Sequence, residues 1–330
     1  MNDRRRLQRN ILILIIVLVL GIVGFVAVNL IEKAQIKKVQ EQVQKDIEQL
    51  DYFTYNNINY KQNDDLQLIL CVGLDSYENN IVDSYVNDEL ADCIVLLVLD
   101  KTNKTVLPIQ INRDTMCDYH VLGIGGRITN DTFGQIALSH TYGTGDIDSL
   151  VNVKDAVSNL LCDIKIDYYM SLTMDAVAKI NDKAGGVTVL VEDDFSSIDD
   201  TLIKDQQITL FGEHALTFVR SRQGLDDASN INRLNRQRVY LRALYDTCKD
   251  KVINDPDFVS NSLNSITEYI IANTNIYGLS DIGNTLLEYE LLDAVQLKGE
   301  AKKGETYIEY YVDDEALKQF CINTFYKPIA

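Results

Sequence analysis

At 330 residues and 46% apolar content, the chain can bury one large core or two modest ones, which excludes a disordered protein. A formal net charge of −18 excludes a duplex nucleic-acid surface, which needs a basic footprint, and only three prolines exclude long polyproline linkers. A local anion site stays open, because it needs only a few converging cations.

Residues 1–10 carry Arg4, Arg5, Arg6 and Arg9 and precede an uncharged 18-residue run from Ile11 to Val28. At 1.5 Å per residue the run reaches roughly 27 Å, and with Leu30 and Ile31 it spans a bilayer core of about 30 Å. The spacing predicts one N-terminal transmembrane helix over 11–31. The arginines before it keep residues 1–10 in the cytoplasm and place all that follows outside the cell membrane. A cleaved signal peptide would have a shorter apolar run and small residues after it, whereas Asn29–Lys38 follows here. Over 32–65 a juxtamembrane helical stalk is expected, since Ile36, Val39, Val43, Ile47 and Leu50 recur at helical spacing. Such a stripe suits either a spacer that lifts the domain off the bilayer or a short coiled coil that pairs the chain as a homodimer.

The main domain is expected over 66–330. The run 66–75 reads as a buried strand ending at Asp75, and 93–100 and 105–111 as two strands joined by the polar turn 101–104. Their continuous apolar character calls for cover on both faces. Helical spacing marks 149–162 and 173–184, where Gly185-Gly186 ends the second helix before a strand at 187–191. The stretch 217–223 alternates as a half-exposed strand, while 233–250, 258–274 and 279–292 read as helices. The fold class is therefore α/β, a layered α/β/α domain with a mixed central sheet. Six cysteines without a C-x-x-C pair argue against structural zinc. Cys71 and Cys93 sit in apolar runs as buried thiols, and spacing does not choose any disulfide pairing.

Three places carry candidate chemistry. Asp75 closes one strand and Asp92 opens the next, so an antiparallel pairing brings both to one sheet edge, where two carboxylates suit a hard cation such as Mg²⁺. The alternative is a turn Asp and a strand-entry Asp. Arg113 and Asp114 leave the third strand at the same edge. Beyond residue 10 the chain has eight arginines, and six of them are Arg220, Arg222, Arg233, Arg236, Arg238 and Arg242. Arg220 and Arg222 share a strand face, and Arg233, Arg236 and Gln237 share a helix face. Guanidinium forks match phosphate oxygens, so the cluster reads as an anion site, or else as the basic outer face of an amphipathic helix.

In order, the chain has Gly73 to Asp75, Ala91-Asp92 opening an apolar strand, Arg113 to Thr115, Lys183 to Val187, V-R-S-R (219–222) and R-x-x-R-Q (233–237). This series, with closing segments at 272–282 and 304–320, resembles the LytR-CpsA-Psr family over roughly residues 66–325. The resemblance implies a membrane-anchored extracytoplasmic phosphotransferase that moves a glycopolymer from an undecaprenyl-pyrophosphate carrier onto peptidoglycan. The acceptor it implies is a muramic acid C6 hydroxyl. It implies Mg²⁺ on Asp75 and Asp92, and pyrophosphate contacts from Arg113, Arg220, Arg222 and Arg233, with Arg236 and Gln237 in the adjoining motif. It further implies Asp114 beside the first arginine and an apolar tunnel for the polyprenyl tail. Asp92 or Asp114 would accept the proton. A binding scaffold that holds polyprenyl phosphates without reacting them is the alternative. The chain departs from the family at Asn112, where proline is usual, at Tyr77, where arginine is frequent, and at Asn230 to Arg233, which replaces D-x-G-R and lacks a capping acid and a glycine turn.

Overall fold

The computed structural model describes residues 52–76, 87–225, 227 and 229–329. The expected membrane helix 11–31 and the apolar stripe 36–50 lie outside the described residues, as does Tyr77. No helix among the described residues is long and apolar enough to cross a membrane. The described residues fall into two compact units, residues 52–62 with 327–329 and the described part of residues 63–326. In the first, β1 (Tyr52–Tyr55) and β2 (Ile58–Gln62) form an antiparallel hairpin, to which the final strand of the chain, Tyr326–Pro328, is added. The end of the expected helical stalk is thus strand. Asn56 and Asn57, with φ of 48° and 63°, make the two-residue turn whose twist suits a hairpin.

The second unit is built on β3 (Leu66–Ser76), β4 (Glu89–Asp100) and β5 (Thr105–Ile111), successive antiparallel neighbours. Next come a hairpin of β6 (Met116–Gly123) and β7 (Arg127–Gln135), helix α1 (Ile147–Leu160), β8 (Tyr168–Thr173) and α2 (Met174–Ala184). Gly185, at φ 86°, ends α2 in the left-handed region, as its place in the sequence requires. A small antiparallel sheet of β9 (Val187–Val191) and β10 (Gln206–Leu210) precedes α3 (Glu213–Arg220) and the long α4 (Asn230–Asn254). The chain continues through α5 (Phe258–Asn264), β11 (Ile270–Ala272), α6 (Ile276–Glu288), β12 (Glu290–Leu291) and β13 (Val295–Gln296). It then runs through the hairpin β14 (Gly299–Lys303)–β15 (Ile308–Val312), α7 (Asp314–Phe325) and the closing strand β16 (Tyr326–Pro328).

The central sheet has the order β11-β8-β3-β4-β5-β12, with β13 also on β5. It is mixed, because β8 joins β3 in parallel, and β12 and β13 join β5 in parallel, among antiparallel pairs. Leu68, Leu70 and Val72 of β3, with Ile94, Leu96 and Val98 of β4, line one face, against Leu150, Val153 and Val157 of α1 and Phe325 of α7. Ile69, Leu99 and Val106 line the other, where Ile282 and Leu286 of α6 pack. Cover on both faces explains the unbroken apolar runs, and the expected layered arrangement is what the unit adopts. Cys71, Leu97, Tyr168 and Met170 on the second face stay half-buried.

Three elements differ from expectation, one of them 279–292, where the helix ends at Glu288 and Glu290–Leu291 pair with β5 as strand β12. Residues 217–220 belong to helix α3, because Ala215, Phe218 and Val219 recur at helical spacing and bury in the small core with Phe195 and Tyr240. Four alternating residues are too short a window to separate the two periods. The stretch 258–274 holds a helix only to Asn264, since Ile270 and Ile271 pair with β8 as an edge strand. All six cysteines are free thiols.

Candidate active site

The β3–β4 ladder pairs Gly73 with Cys93 and then Leu74 with Ala91, so Asp92 is the extra residue of a β-bulge. A bulge turns one side chain out of the regular alternation. Asp92 thus lies inside β4 rather than opening it, as the strand begins at Glu89. Gly73 makes this approach feasible, since a Cβ there would stand 3.0 Å from Cβ of Cys93. Asp75 lies one pair further along the same edge, opposite Leu90.

Both carboxylates are buried and held by arginines. Arg220 forks onto Asp75, with Nε 2.9 Å from Oδ2 and Nη2 2.8 Å from Oδ1. Asp92 is 3% exposed and takes Nη1 of Arg113 on one oxygen and Nη1 of Arg233, at 3.2 Å, on the other. Asp114 is buried beside Arg113, whose Nε stands 3.6 Å from its Oδ1. The same Oδ1 accepts a hydrogen bond from Gln135 Nε2 at 3.2 Å. Burial raises the Asp114 carboxyl above its ordinary range, against the pull of Arg113, Arg222 and Arg233. Arg222 is half-buried, forms no ion pair among the described residues, and its charge reaches both Asp114 and Arg233.

Sequence alone puts Arg236 and Gln237 on the anion. The structure turns them elsewhere. Arg236 donates to the carbonyls of Phe218 and Ser221 and to Asp193, while Gln237 Nε2 donates to the Val219 carbonyl at 3.3 Å. These are the carbonyls that the last turn of a helix leaves unpaired. Arg236 and Gln237 therefore hold the end of α3, and with it Arg220 and Arg222, in place. Arg238 is exposed, and Arg242 bonds the Leu291 carbonyl at 2.8 Å. Of the six clustered arginines, Arg220 and Arg233 pair with the carboxylates, where Arg113 joins them, and Arg222 stands near enough for its charge to act on Asp114. The missing capping acid of α4 is replaced by Ser229, whose Oγ accepts from Asn232 N. Gln135 carries no sequence signal, because it reaches Asp114 only through the β6–β7 hairpin.

Four guanidiniums face three carboxylates here, a surplus of one positive charge. Arg113 Nε and Arg233 Nε are moreover buried donors without a hydrogen-bond partner. Buried donors of this kind cost free energy unless an acceptor joins them. The arrangement can bind an anion with several oxygens.

The histidines serve elsewhere. His120 pairs with Asp131 at 2.6 Å, and His214 lies 3.6 Å from Asp199. His140 is fully buried and donates through Nδ1 to the carbonyl of Glu89, bracing the strand that carries Asp92. Burial pulls it down to about 4 from an ordinary 6.5. The unfolded chain therefore takes up a proton below pH 6.5 that the folded chain refuses until about pH 4. Stability is full above that window and falls as pH drops through it, by about 2 kcal/mol between pH 7 and 5. Urea unfolding at both pH values should show a His140→Gln protein losing that much less than the parent; equal losses would reject the assignment.

A model of the LytR_cpsA_psr family matches residues 25–324. The polyisoprenyl-teichoic acid–peptidoglycan teichoic acid transferase TagV of Bacillus subtilis is 30% identical over 163 residues, 47% of this chain and 38% of that protein. TagU of Halalkalibacterium halodurans is 28% identical over 176 residues, 53% of this chain and 51% of that protein. The chain thus spans about half or less of these two relatives. TagU of Bacillus cereus is 26% identical over 234 residues, 71% of each chain. Among solved structures, Bacillus subtilis TagV superposes with a TM-score of 0.58 at 22% identity, covering 79% of this chain and 96% of that one. TagT bound to LI-WTA superposes at 0.57 with 20% identity, covering 79% and 91%. These structural likenesses establish a shared fold, and with the family match over most of its length they lead to one conclusion: the chain belongs to the LytR_cpsA_psr family.

Proposed function

We propose that the chain is a membrane-anchored extracytoplasmic phosphotransferase that moves a glycopolymer from a polyprenyl-pyrophosphate carrier onto peptidoglycan. The observation that carries this reading is the pair of buried, partnerless guanidinium donors, Arg113 Nε and Arg233 Nε, in a cluster with surplus positive charge. A diphosphate supplies the acceptors they lack. The names of the related TagU and TagV transferases support the same chemistry. The half-buried apolar side chains Cys71, Leu97 and Met170, on the sheet face to which Cys93 belongs, support a lipid tail lying there.

In this reading an acceptor hydroxyl of the glycan attacks the phosphorus bonded to the glycopolymer. The bond from that phosphorus to the bridging oxygen breaks, and polyprenyl monophosphate leaves. Arg113, Arg220, Arg222 and Arg233 offset the charge that builds on the phosphoryl oxygens and on the leaving phosphate. Asp114 takes the hydroxyl proton. Asp92 is the poorer base, because arginines occupy both of its oxygens, whereas burial raises Asp114 toward a useful range.

Asp75 and Asp92 carry hard carboxylate oxygens at one sheet edge, the donor type that suits Mg²⁺, and because arginines hold all four of these oxygens, Mg²⁺ would bind there only by displacing some of those arginine contacts. Among the described residues no group of three or more His, Cys, Asp or Glu side chains is placed to hold a metal ion, so phosphate and water would complete the shell. Bound there, the ion would add Lewis-acid charge to the diphosphate. The test is the full 330-residue chain in detergent, given a lipid-linked glycan, a peptidoglycan acceptor and magnesium. Transferred polymer and released polyprenyl monophosphate are expected, and EDTA should suppress both. Binding of the lipid without turnover would favour the scaffold instead.

A further inference from the structure

The β6–β7 hairpin has one closed face and one open face. Cys117 and Tyr119 of β6 are buried in the main core, and the Tyr119 ring covers Gly134 of β7, where a Cβ would stand 2.8 Å from its hydroxyl. On the other face the register sets His120 opposite Asp131, Asp118 opposite Phe133 and Met116 opposite Gln135. Alternate positions of a strand share a face, so these side chains form one strip. Phe133 stands in the middle of it, 56% exposed, with the exposed carboxylates Asp118 and Asp131 around it.

One end of the strip is tied to the candidate base. Gln135 Nε2 donates to Asp114 Oδ1 at 3.2 Å and to the Ile308 carbonyl at 2.7 Å. The middle is held as well, because the buried Asn152 of α1 accepts from the His120 N–H at 3.1 Å and donates to the His120 carbonyl at 2.8 Å. From Asp131 to Gln135 the strip runs about 13 Å, the span of a short stretch of sugar rings. A lone exposed phenylalanine is ordinary. This one lies among carboxylates, an imidazole and a carboxamide, on a rigid face that leads to Asp114.

A sugar ring carries hydroxyls at its edge and C–H groups on its face. Carboxylates accept from such hydroxyls, and a carboxamide both donates and accepts. The C–H groups lie well against the negative face of an aromatic ring. A purely apolar partner would instead leave the polar rim without hydrogen bonds. We propose that the open face of the β6–β7 hairpin, centred on Phe133, binds the acceptor glycan strand and leads its hydroxyl to Asp114. This rests on the phosphotransferase reading above. The occupant is the acceptor and not the carried glycopolymer, because the strip ends at the group that takes the acceptor's proton, whereas the donor is fixed through its diphosphate at the arginines.

The chain contains no tryptophan, so Phe133→Trp sets a single indole in the strip as a reporter. Soluble, peptide-free peptidoglycan glycan strands are titrated into the full chain in detergent. A saturable change in indole emission is expected, and no change overturns the proposal. Phe133→Leu keeps an apolar side chain and removes the ring. In the lipid-linked transfer assay it should raise the KM for acceptor glycan about fivefold and leave the KM for the lipid donor where it was. Thermal melts should match the parent, since an exposed side chain holds little of the fold. An unchanged acceptor KM overturns the proposal, and so does a rise confined to the donor KM, which would put the carried polymer on the strip. A parent chain that transfers nothing removes the phosphotransferase reading itself, and the indole titration then decides whether the strip binds glycan.

Discussion

Replacing Asp92 by alanine should abolish transfer and cost the domain about 3–5 kcal/mol of stability. The size follows from burial. Asp92 is 3% exposed and is the carboxylate to which both Arg113 and Arg233 donate. Removing it leaves two guanidiniums, themselves buried, with Asp114 beside Arg113 as the carboxylate that remains to offset them. Burial already lowers the Arg233 pKa, with Asp92 as the largest opposing influence and Arg222 and Arg113 adding to the strain. Asp92→Asn keeps the volume and one acceptor oxygen, so it should recover part of the stability and little of the activity. Urea unfolding measures the first effect and the lipid-linked transfer assay the second. An Asp92→Ala protein as stable as its parent would mean that the two arginines reach water, and the description of a closed cluster would be wrong.

Arg220→Ala separates activity from folding more cleanly. The Arg220 side chain is 54% exposed, so its fork on Asp75 contributes at most about 1 kcal/mol to stability. Facing a phosphoryl group, the same guanidinium is expected to matter far more, and its loss should lower transfer by about 10²–10³-fold. Arg220→Lys should rescue little, because a single ammonium cannot reproduce the two-point contact with Asp75 or with phosphate oxygens. Circular dichroism melts alongside the assay decide the matter. Transfer at the parent rate in a folded Arg220→Ala protein would take this arginine out of the mechanism.

Arg220 and Asp75 also show why part of the site is readable in the sequence and part is not. Both stand out by residue type and neighbourhood, since an acidic chain that gathers arginines needs an anion to offset them. That they touch is not readable, because 145 residues separate them. Arg236 shows the converse. Its spacing from Arg233 puts it on the same helix face, but a face is broad, and the unpaired carbonyls at the end of α3 capture its guanidinium first. Asn112 and Asn230 stand out only as departures from a familiar pattern, and their contact, in which Asn230 Nδ2 donates to Asn112 Oδ1 at 2.6 Å, spans 118 residues.

The strands β3, β4 and β5, the helices α1, α2 and α4, and the mixed layered class were determined by the chain's own periodicity. Apolar runs that must be covered on both faces, and helical repeats ended by glycine, are local properties and survive without knowledge of partners. Tertiary structure alone decided that 217–220 is helical, that Asp92 leaves its strand on a bulge, and which arginines reach the carboxylates. Those outcomes depend on packing between segments separated along the chain, by 21 residues for Arg113 and Asp92 and by 145 for Arg220 and Asp75, where burial and the need to pair every buried donor outweigh local spacing.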